Sequence, residues 1–139
     1  MAEIKFDTGL VEYDLNGKCK ICFNPTDGAF VERLFNCFSD MDKRHEAYAS
    51  EIEKCGDKIK IFDIARNRDR EIREMINGVL GANVCDPLFG EMNICALADG
   101  LPVWCNLMLA IMDECDSAFS REQMRTNPRI KKYTAKYHK

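Results

Sequence analysis

Residues 34–62 read LFNCFSDMDKRHEAYASEIEKCGDKIKIF, and this stretch decides the fold class. Apolar or partly apolar side chains recur in it at alternating steps of four and three. This spacing keeps one stripe on one side of a helix, where a second helix can bury it. The members of the stripe are Leu34, Phe38, Met41, His45, Tyr48, Ile52, Cys55, Ile59 and Phe62. The stripe therefore predicts a mainly helical protein that presents helix surfaces.

The boundaries of the first two helices are predicted from capping residues and glycines. We expect the first helix to begin near Asp27 and to break at Gly56-Asp57, because a glycine in a helix interior costs about 1 kcal/mol. The second helix should end near Gly78 or Gly81. The run Arg66–Glu71 within it is very polar, and we expect it to be solvated.

The second half of the chain is predicted to hold shorter elements and one long helix. A short helix should start at Cys85-Asp86-Pro87, with the aspartate as its cap and the proline in its first turn. A second short element is expected at Met92–Leu97. A last long helix should open at residues 99–102 and be apolar nearly all round from Val103 to Met112, which is typical of a central core or interface helix. Pro128 should end any regular helix.

A β-hairpin is predicted before the helices, with its turn at Asn16-Gly17. A two-residue loop at this turn would mix polar and apolar side chains on both faces. A three-residue loop beginning one residue earlier instead pairs Tyr13 with Cys19 and Val11 with Ile21. This second register places apolar side chains on one face and opposite charges on the other, so it is the register we predict.

Together these patterns predict an α+β fold, mainly helical, with an N-terminal β-hairpin or small antiparallel sheet followed by four or five helices. A further short strand is expected at Ile4–Phe6. The hairpin should pack on the helices, because an isolated hairpin is at best marginally stable. The predicted core consists of Val11, Tyr13, Ile21, Phe23, Phe30, Leu34, Phe38, Phe62, Ile76, Trp104, Leu107 and Ile111.

Charge is distributed unevenly along the chain. Residues 120–139 hold seven Lys or Arg and one acidic residue, whereas residues 1–119 carry a net charge of -9. We therefore predict a single α+β domain with an acidic surface, residues 1–119, and a basic C-terminal tail, residues 120–139, of the kind that serves as an interaction segment. The cations and tyrosines of the tail suit a nucleic acid, but the acidic body disfavours that partner because it repels phosphates.

The composition predicts a cytoplasmic protein. No apolar stretch approaches the length of about 20 residues that a membrane span needs, and the N-terminus lacks the basic head and apolar core of a signal peptide. The eight cysteines are therefore expected to be free structural thiols, with disulfides or a metal site as the alternatives.

No catalytic, cofactor or metal site is predicted. The segment Cys19–Cys22 has the CxxC spacing, but its thiols should lie on opposite faces of one strand, and a zinc site needs a second pair. The two histidines, His45 and His138, accompany no recognisable nucleophile motif. The scattered glycines form no phosphate-binding loop. We therefore expect a non-enzymatic protein that acts through its surfaces.

Three regions of the sequence resemble a family of small proteins encoded in the tail modules of siphophages and prophages of Gram-positive gut bacteria, the tail assembly chaperones. They are MAEIKFD at residues 1–7 with VEY at 11–13, MNICALADGLPVW at 92–104, and TNPRIKKY at 126–133. The resemblance implies a non-enzymatic factor without catalytic residues or cofactors. Such a factor coats the long helical tape measure protein while tail-tube subunits polymerise, and then leaves.

The predicted partner is accordingly a phage tape measure protein, and we expect the chain to self-associate along it. The 34–62 stripe, the apolar helix and the basic tail are the candidate surfaces. The candidate partner-binding residues are Met41, His45, Tyr48, Ile52, Trp104, Met108, Arg129, Lys131, Lys132 and Tyr133. Two alternatives stay open, namely an inhibitor that binds a host defence protein and a nucleic-acid-binding module that uses the basic tail.

Overall fold

The computed structural model describes residues 1–137, so His138 and the last residue of the predicted tail lie outside the described residues. Within that range the fold is α+β and mainly helical, with an N-terminal hairpin and five helices, as the sequence predicts. No helix in residues 1–137 combines the length and apolarity needed to cross a bilayer. The elements in chain order are β1 Val11–Leu15, β2 Cys19–Phe23, α1 Gly28–Lys54, α2 Lys58–Leu80, α3 Cys85–Phe89, β3 Leu97–Ala98, β4 Leu101–Pro102, α4 Val103–Met124 and α5 Arg129–Tyr137.

The N-terminal hairpin forms, but its register differs from the predicted one. Tyr13 lies opposite Ile21 and not opposite Cys19, which is a shift of two residues. Each side chain still points to its predicted face, because a shift of two preserves the alternation of a strand. The reason lies in the turn, where Asn16 and Gly17 both adopt positive φ, 54° and 70°, as the central residues of a type I′ turn do.

The segment before the hairpin contains no strand, so the strand expected at Ile4–Phe6 is wrong. Val11, at the open end of β1, is exposed, and its assignment to the core is also wrong. The inner face of the hairpin is nevertheless apolar. Phe23 is buried and stacks on Phe30 of α1, with the ring centroids 4.5 Å apart. This stack joins the hairpin to the helices.

The predicted limits of α1 and α2 are confirmed. The side chain of Asp27 accepts a hydrogen bond from the Ala29 amide at the start of α1, and Asp57 accepts one from the Ile59 amide at the start of α2. Such N-caps satisfy amides that have no partner within the helix. α2 ends at Gly81, whose φ of 72° is the left-handed conformation that closes many helices.

The 34–62 stripe is inward-facing only as far as the end of α1. Leu34 and Met41 are fully buried, whereas Ile59 and Phe62 are 72% and 61% exposed. The prediction of Phe62 as a core residue is therefore wrong. The reason is that the chain reverses direction between α1 and α2. The side of α2 that faces the core is therefore not the side that continues the spacing of the stripe on α1. In α2 the buried side chains are Ile72 and Ile76.

The core lies between α1, α2 and α4, with the hairpin and the connection from α2 to α4 closing its ends. Its fully buried large side chains are Trp104, Leu34, Met41, Ile72, Ile76, Ile94 and Met108. α4 supplies the longest series of buried residues, which confirms that this helix is central. It also continues past residue 119, so the predicted boundary of the basic tail falls inside α4.

The connection between α2 and α4 departs from prediction in two places. The short helix α3 begins at Cys85 as expected, but its cap is Val84, and the side chain of Asn77 accepts hydrogen bonds from the amides of both residues. Of the short element expected at Met92–Leu97 only Leu97 is regular, as the first residue of β3, and residues 92–96 form turns and bends. They lead into the small ribbon of β3 and β4, whose turn has positive φ at Asp99 and Gly100.

The polar run in α2 is not fully solvated, contrary to expectation. Asp69 accepts a hydrogen bond from the Ile94 amide at 2.7 Å and also pairs with Arg73, with 3.1 Å between carboxylate oxygen and Nε. The Arg73 side chain, 12% exposed, donates in addition to the carbonyl oxygens of Gly90 and Met92. These contacts fasten the irregular segment 90–94 to α2.

Candidate functional site

Three of the predicted partner-binding side chains belong to the core. Met41 and Met108 are fully buried, and Trp104 is 1% exposed. Trp104 packs against Phe38 of α1, with the ring centroids 6.0 Å apart. In the folded chain these side chains hold helices together, so the expectation that they are available to a partner is corrected.

Three further predicted residues of α1 are half-buried. His45 lies edge-on to the ring of Trp104, and Tyr48 donates a hydrogen bond to Glu71 of α2. Glu71 also pairs with Arg44. Ile52 lies on the same side of α1, one turn beyond Tyr48. This part of the stripe therefore joins α1 to its neighbours, and only its margins are open to solvent.

The predicted residues of the tail lie together on α5, where every residue is exposed. Helical spacing places Ile130, Tyr133 and Tyr137 in one apolar stripe. Lys131 lies on one side of that stripe, and the ammonium of Lys132 on the other side is 5.4 Å from the centroid of the Tyr133 ring. The structure thus brings Arg129, Lys131, Lys132 and Tyr133 onto one short basic helix, apart from the predicted residues of α1 and α4.

A second surface, which was not predicted from the sequence, is formed by neighbouring sides of α1 and α4 along the line where the two helices meet. Burial raises the pKa of the Cys105 thiol on α4, and the charge of Asp42 on α1 raises it further, which indicates that these two residues lie on neighbouring sides of the two helices. Steps of three, four and seven from these two residues define one side of each helix. The resulting set, called here the acidic face, comprises Val31, Phe35, Asp42 and Glu46 on α1 and Cys105, Met112, Asp116 and Phe119 on α4.

The two halves of the acidic face run side by side in opposite directions. The middle of α1 lies at the start of α4, as the contact of Phe38 with Trp104 shows. The start of α1 lies near the end of α4, because the hairpin that stacks on Phe30 also brings Tyr13 close to Glu114 and Arg121. Periodicity therefore places Phe35 towards Met112, and Val31 towards the end of α4.

The acidic face carries both exposed aromatic side chains and exposed carboxylates. Phe35 is 57% exposed and Phe119 is 51% exposed, although aromatic side chains are normally among the most buried. The carboxylates of Asp42, Glu46 and Asp116 are exposed beside them. One cation adjoins the face, because a step of three from Glu46 reaches the exposed Lys43. An exposed apolar strip with a polar rim is typical of a protein-binding surface.

The cysteines do not converge on a common site. Cys19 is half-buried on the inner side of β2 and Cys22 is exposed on the outer side, which is the arrangement predicted for the CxxC segment. Burial raises the pKa of Cys85 to about 11, and this keeps the thiol protonated at neutral pH. In residues 1–137 no three His, Cys, Asp or Glu side chains are grouped so that they could hold a metal ion.

The two arginines that line the cleft between the N-terminal segment and the end of α4 are both paired with glutamates. This cleft has a volume of about 830 Å³. Arg121 contacts Glu114 at 2.9 Å, and Arg125 contacts Glu122 at 3.3 Å. The arrangement neutralises the arginines locally, so the cleft is a weaker candidate for a binding site than the acidic face.

The signal for the acidic face was present in the sequence as a second stripe beside the first. Val31, Phe35, Asp42 and Glu46 are separated by steps of four, seven and four. Only packing shows that this stripe adjoins the one on α4.

No family model, curated protein or solved structure matches the chain.

Proposed function

We propose that this chain is a non-enzymatic tail assembly chaperone that binds a phage tape measure protein in the cytoplasm of the bacterial host. The observation that carries the proposal is the exposure of Phe35 and Phe119 between acidic side chains on neighbouring helices. Two adjacent helices with an apolar strip between them can accept an amphipathic helix from a partner. The resemblance of the sequence to tail assembly chaperones supports the tape measure protein as the source of that helix.

The chemistry of the acidic face specifies the kind of helix that it would accept. The partner helix would need apolar side chains at helical spacing to pack on the exposed aromatic side chains. It would also need Lys or Arg beside these apolar side chains to pair with Asp42, Glu46 and Asp116. Opposite charges at the rim would orient the partner and speed its association, while burial of the aromatic side chains would supply most of the affinity. A long helical chain held in this way keeps its own apolar stripe away from other copies.

The proposal is tested by co-expression with the tape measure protein encoded in the same genome. Light scattering should show a soluble complex with the unaltered chain. Phe35→Glu should abolish the complex, because it puts a charge among the exposed apolar side chains of the face. Phe62→Glu is the matched control, since Phe62 is similarly exposed but lies outside the face. A partner that precipitates with the unaltered chain, or a complex that survives Phe35→Glu, would contradict the proposal.

The basic helix α5 favours one alternative function, the binding of nucleic acid. Four exposed cations and two tyrosines in nine residues can contact phosphates and stack on bases. This function predicts binding to single-stranded DNA that weakens steeply with salt and is lost in the double variant Lys131→Glu/Lys132→Glu. Equal binding by that variant would exclude α5 as a nucleic-acid site.

A further inference from the structure

We infer that α5 of one copy of this chain docks on the acidic face of a second copy. This contact involves only copies of this chain and does not depend on the tape measure protein. The two surfaces of this contact, α5 and the acidic face, have opposite charge. Their shapes are compatible because an amphipathic helix fits an apolar strip between two helices.

The composition of α5 complements the acidic face. Residues 129–137 contain four cationic and no acidic side chains. Helical spacing places Arg129 and Lys136 along one edge of the apolar stripe of Ile130, Tyr133 and Tyr137, while Lys131 and Lys132 lie further round the helix. The acidic face combines exposed apolar side chains with carboxylates on both helices, so its charge is opposite to that of α5.

An isolated α5 lacks the contacts that would stabilise it. Helices shorter than about 12 to 15 residues are marginal in water unless tertiary packing supports them. α5 has nine residues, and each of them is exposed in the described chain. Its exposed apolar stripe and its length therefore both point to a surface outside its own chain.

A second copy satisfies this requirement with parts that are already present. Each copy carries one α5 and one acidic face, so two copies related by a two-fold axis can exchange their helices. The exchange makes two equal contacts in one dimer, which doubles the buried area that a single nine-residue helix provides. A partner helix bound to the acidic face would have to displace α5, so self-association and partner binding would compete.

The test is a charge swap in the full chain, followed by light scattering at a protein concentration on the order of 100 µM and low salt. One variant reverses the helix, Lys131→Glu/Lys132→Glu, and a second reverses the face, Glu46→Lys/Asp116→Lys. Each should weaken the dimer by at least about tenfold, because opposed charges become like charges. The chain that carries all four substitutions should dimerise again. Controls of the same charge change away from both surfaces, Lys58→Glu/Lys60→Glu and Glu74→Lys/Glu91→Lys, should leave the dimer unchanged.

The recovery in the combined chain separates loss of contact from loss of folding, since a misfolded variant is not repaired by further substitutions. Three results would overturn the inference. They are a monomeric unaltered chain at this concentration, a dimer that neither reversal weakens, and a combined chain that stays monomeric. A monomer in which α5 crosslinks to its own acidic face would show that the occupant is the same chain, and would also overturn it.

Discussion

The imidazole of His45 lies edge-on to the indole of Trp104, with the ring centroids 5.9 Å apart and the ring planes at 64°. This contact fixes α1 against the start of α4. Nδ1 of His45 and Nε1 of Trp104 are buried and have no hydrogen-bond partner among the described residues. A positive charge on His45 would therefore be poorly stabilised where the two helices meet.

The stability of the fold should fall in mild acid because of His45. Burial lowers the pKa of His45 below its ordinary value, and the nearby Arg68 lowers it further, while Asp42 and Glu46 oppose the shift. The unfolded chain then takes up a proton more readily than the folded chain. The contribution of this residue to stability is complete above a pH of about 6.5, and it is lost as the pH falls through the folded-state pKa.

Urea unfolding at pH 7.5 and pH 5.5 measures this effect. The unaltered chain should lose stability between the two pH values, and His45→Gln should lose less, because glutamine does not titrate. The comparison uses the change with pH in each protein, so any constant effect of the substitution cancels. An equal loss in both proteins would assign the pH dependence to other groups.

Features set by neighbouring residues could be predicted from the sequence. Asp27, Asp57 and Gly81 mark helix ends because a cap acts within a few residues of itself. The alternation of the hairpin strands predicted their two faces for the same reason. The register could not be predicted in this way, because it depends on the conformation of the turn, and the observed loop of residues 16–18 keeps the same alternation as the predicted loop of residues 15–17.

Features that depend on distant segments could not be predicted. The stripe from residue 34 onward was followed into α2, but the reversal near Gly56 left Ile59 and Phe62 outside the core. The contacts of Asp69 and Arg73 depend on a loop that lies 17 to 25 residues further along the chain. The stripe of Val31, Phe35, Asp42 and Glu46 can be found in the sequence, but only the packing of α1 beside α4 joins it to the stripe on α4.

Removal of the Arg73 side chain should loosen the connection between α2 and α4. Arg73 is paired with Asp69 and Asp86, and it donates to the carbonyl oxygens of Gly90 and Met92 at 2.8 and 2.7 Å. Arg73→Ala leaves these partners without their donor, and should cost about 2 to 3 kcal/mol of unfolding free energy.

Denaturant unfolding of Arg73→Ala and of a control, Arg70→Ala, tests this estimate. Arg70 is exposed and bonds only to the side chain of Asn67, so its loss should change the unfolding free energy by less than about 0.5 kcal/mol. Hydrogen exchange adds a local measurement, because the amide of Ile94 should exchange faster in Arg73→Ala if the segment opens. Equal stability of the two variants would refute a structural role for the Arg73 contacts.

The thiols should differ widely in reactivity. Cys22 is exposed, whereas Cys85 is buried and its pKa is raised to about 11. At pH 8 a thiol reagent should therefore modify Cys22 rapidly and Cys85 only when the chain unfolds. Mass spectrometry of the partly modified protein identifies the site, and Cys22→Ser should remove the rapid phase. Rapid modification of Cys85 in the folded chain would contradict its placement in the core.

The stability of the fold should depend strongly on Met108 and little on Met92. Met108 is fully buried on α4, between the helices, whereas Met92 is 48% exposed in the loop that follows α3. Met108→Ala removes the same atoms as Met92→Ala, but it leaves a cavity in the core and should cost about 2 to 5 kcal/mol of unfolding free energy. Met92→Ala should cost less than about 0.5 kcal/mol, and it keeps the backbone carbonyl that accepts from Arg73. Thermal and urea unfolding of the two variants compares them directly. If Met108 lay instead on a surface used by a partner, the two substitutions would have similar small effects on the isolated chain, and only Met108→Ala would weaken binding.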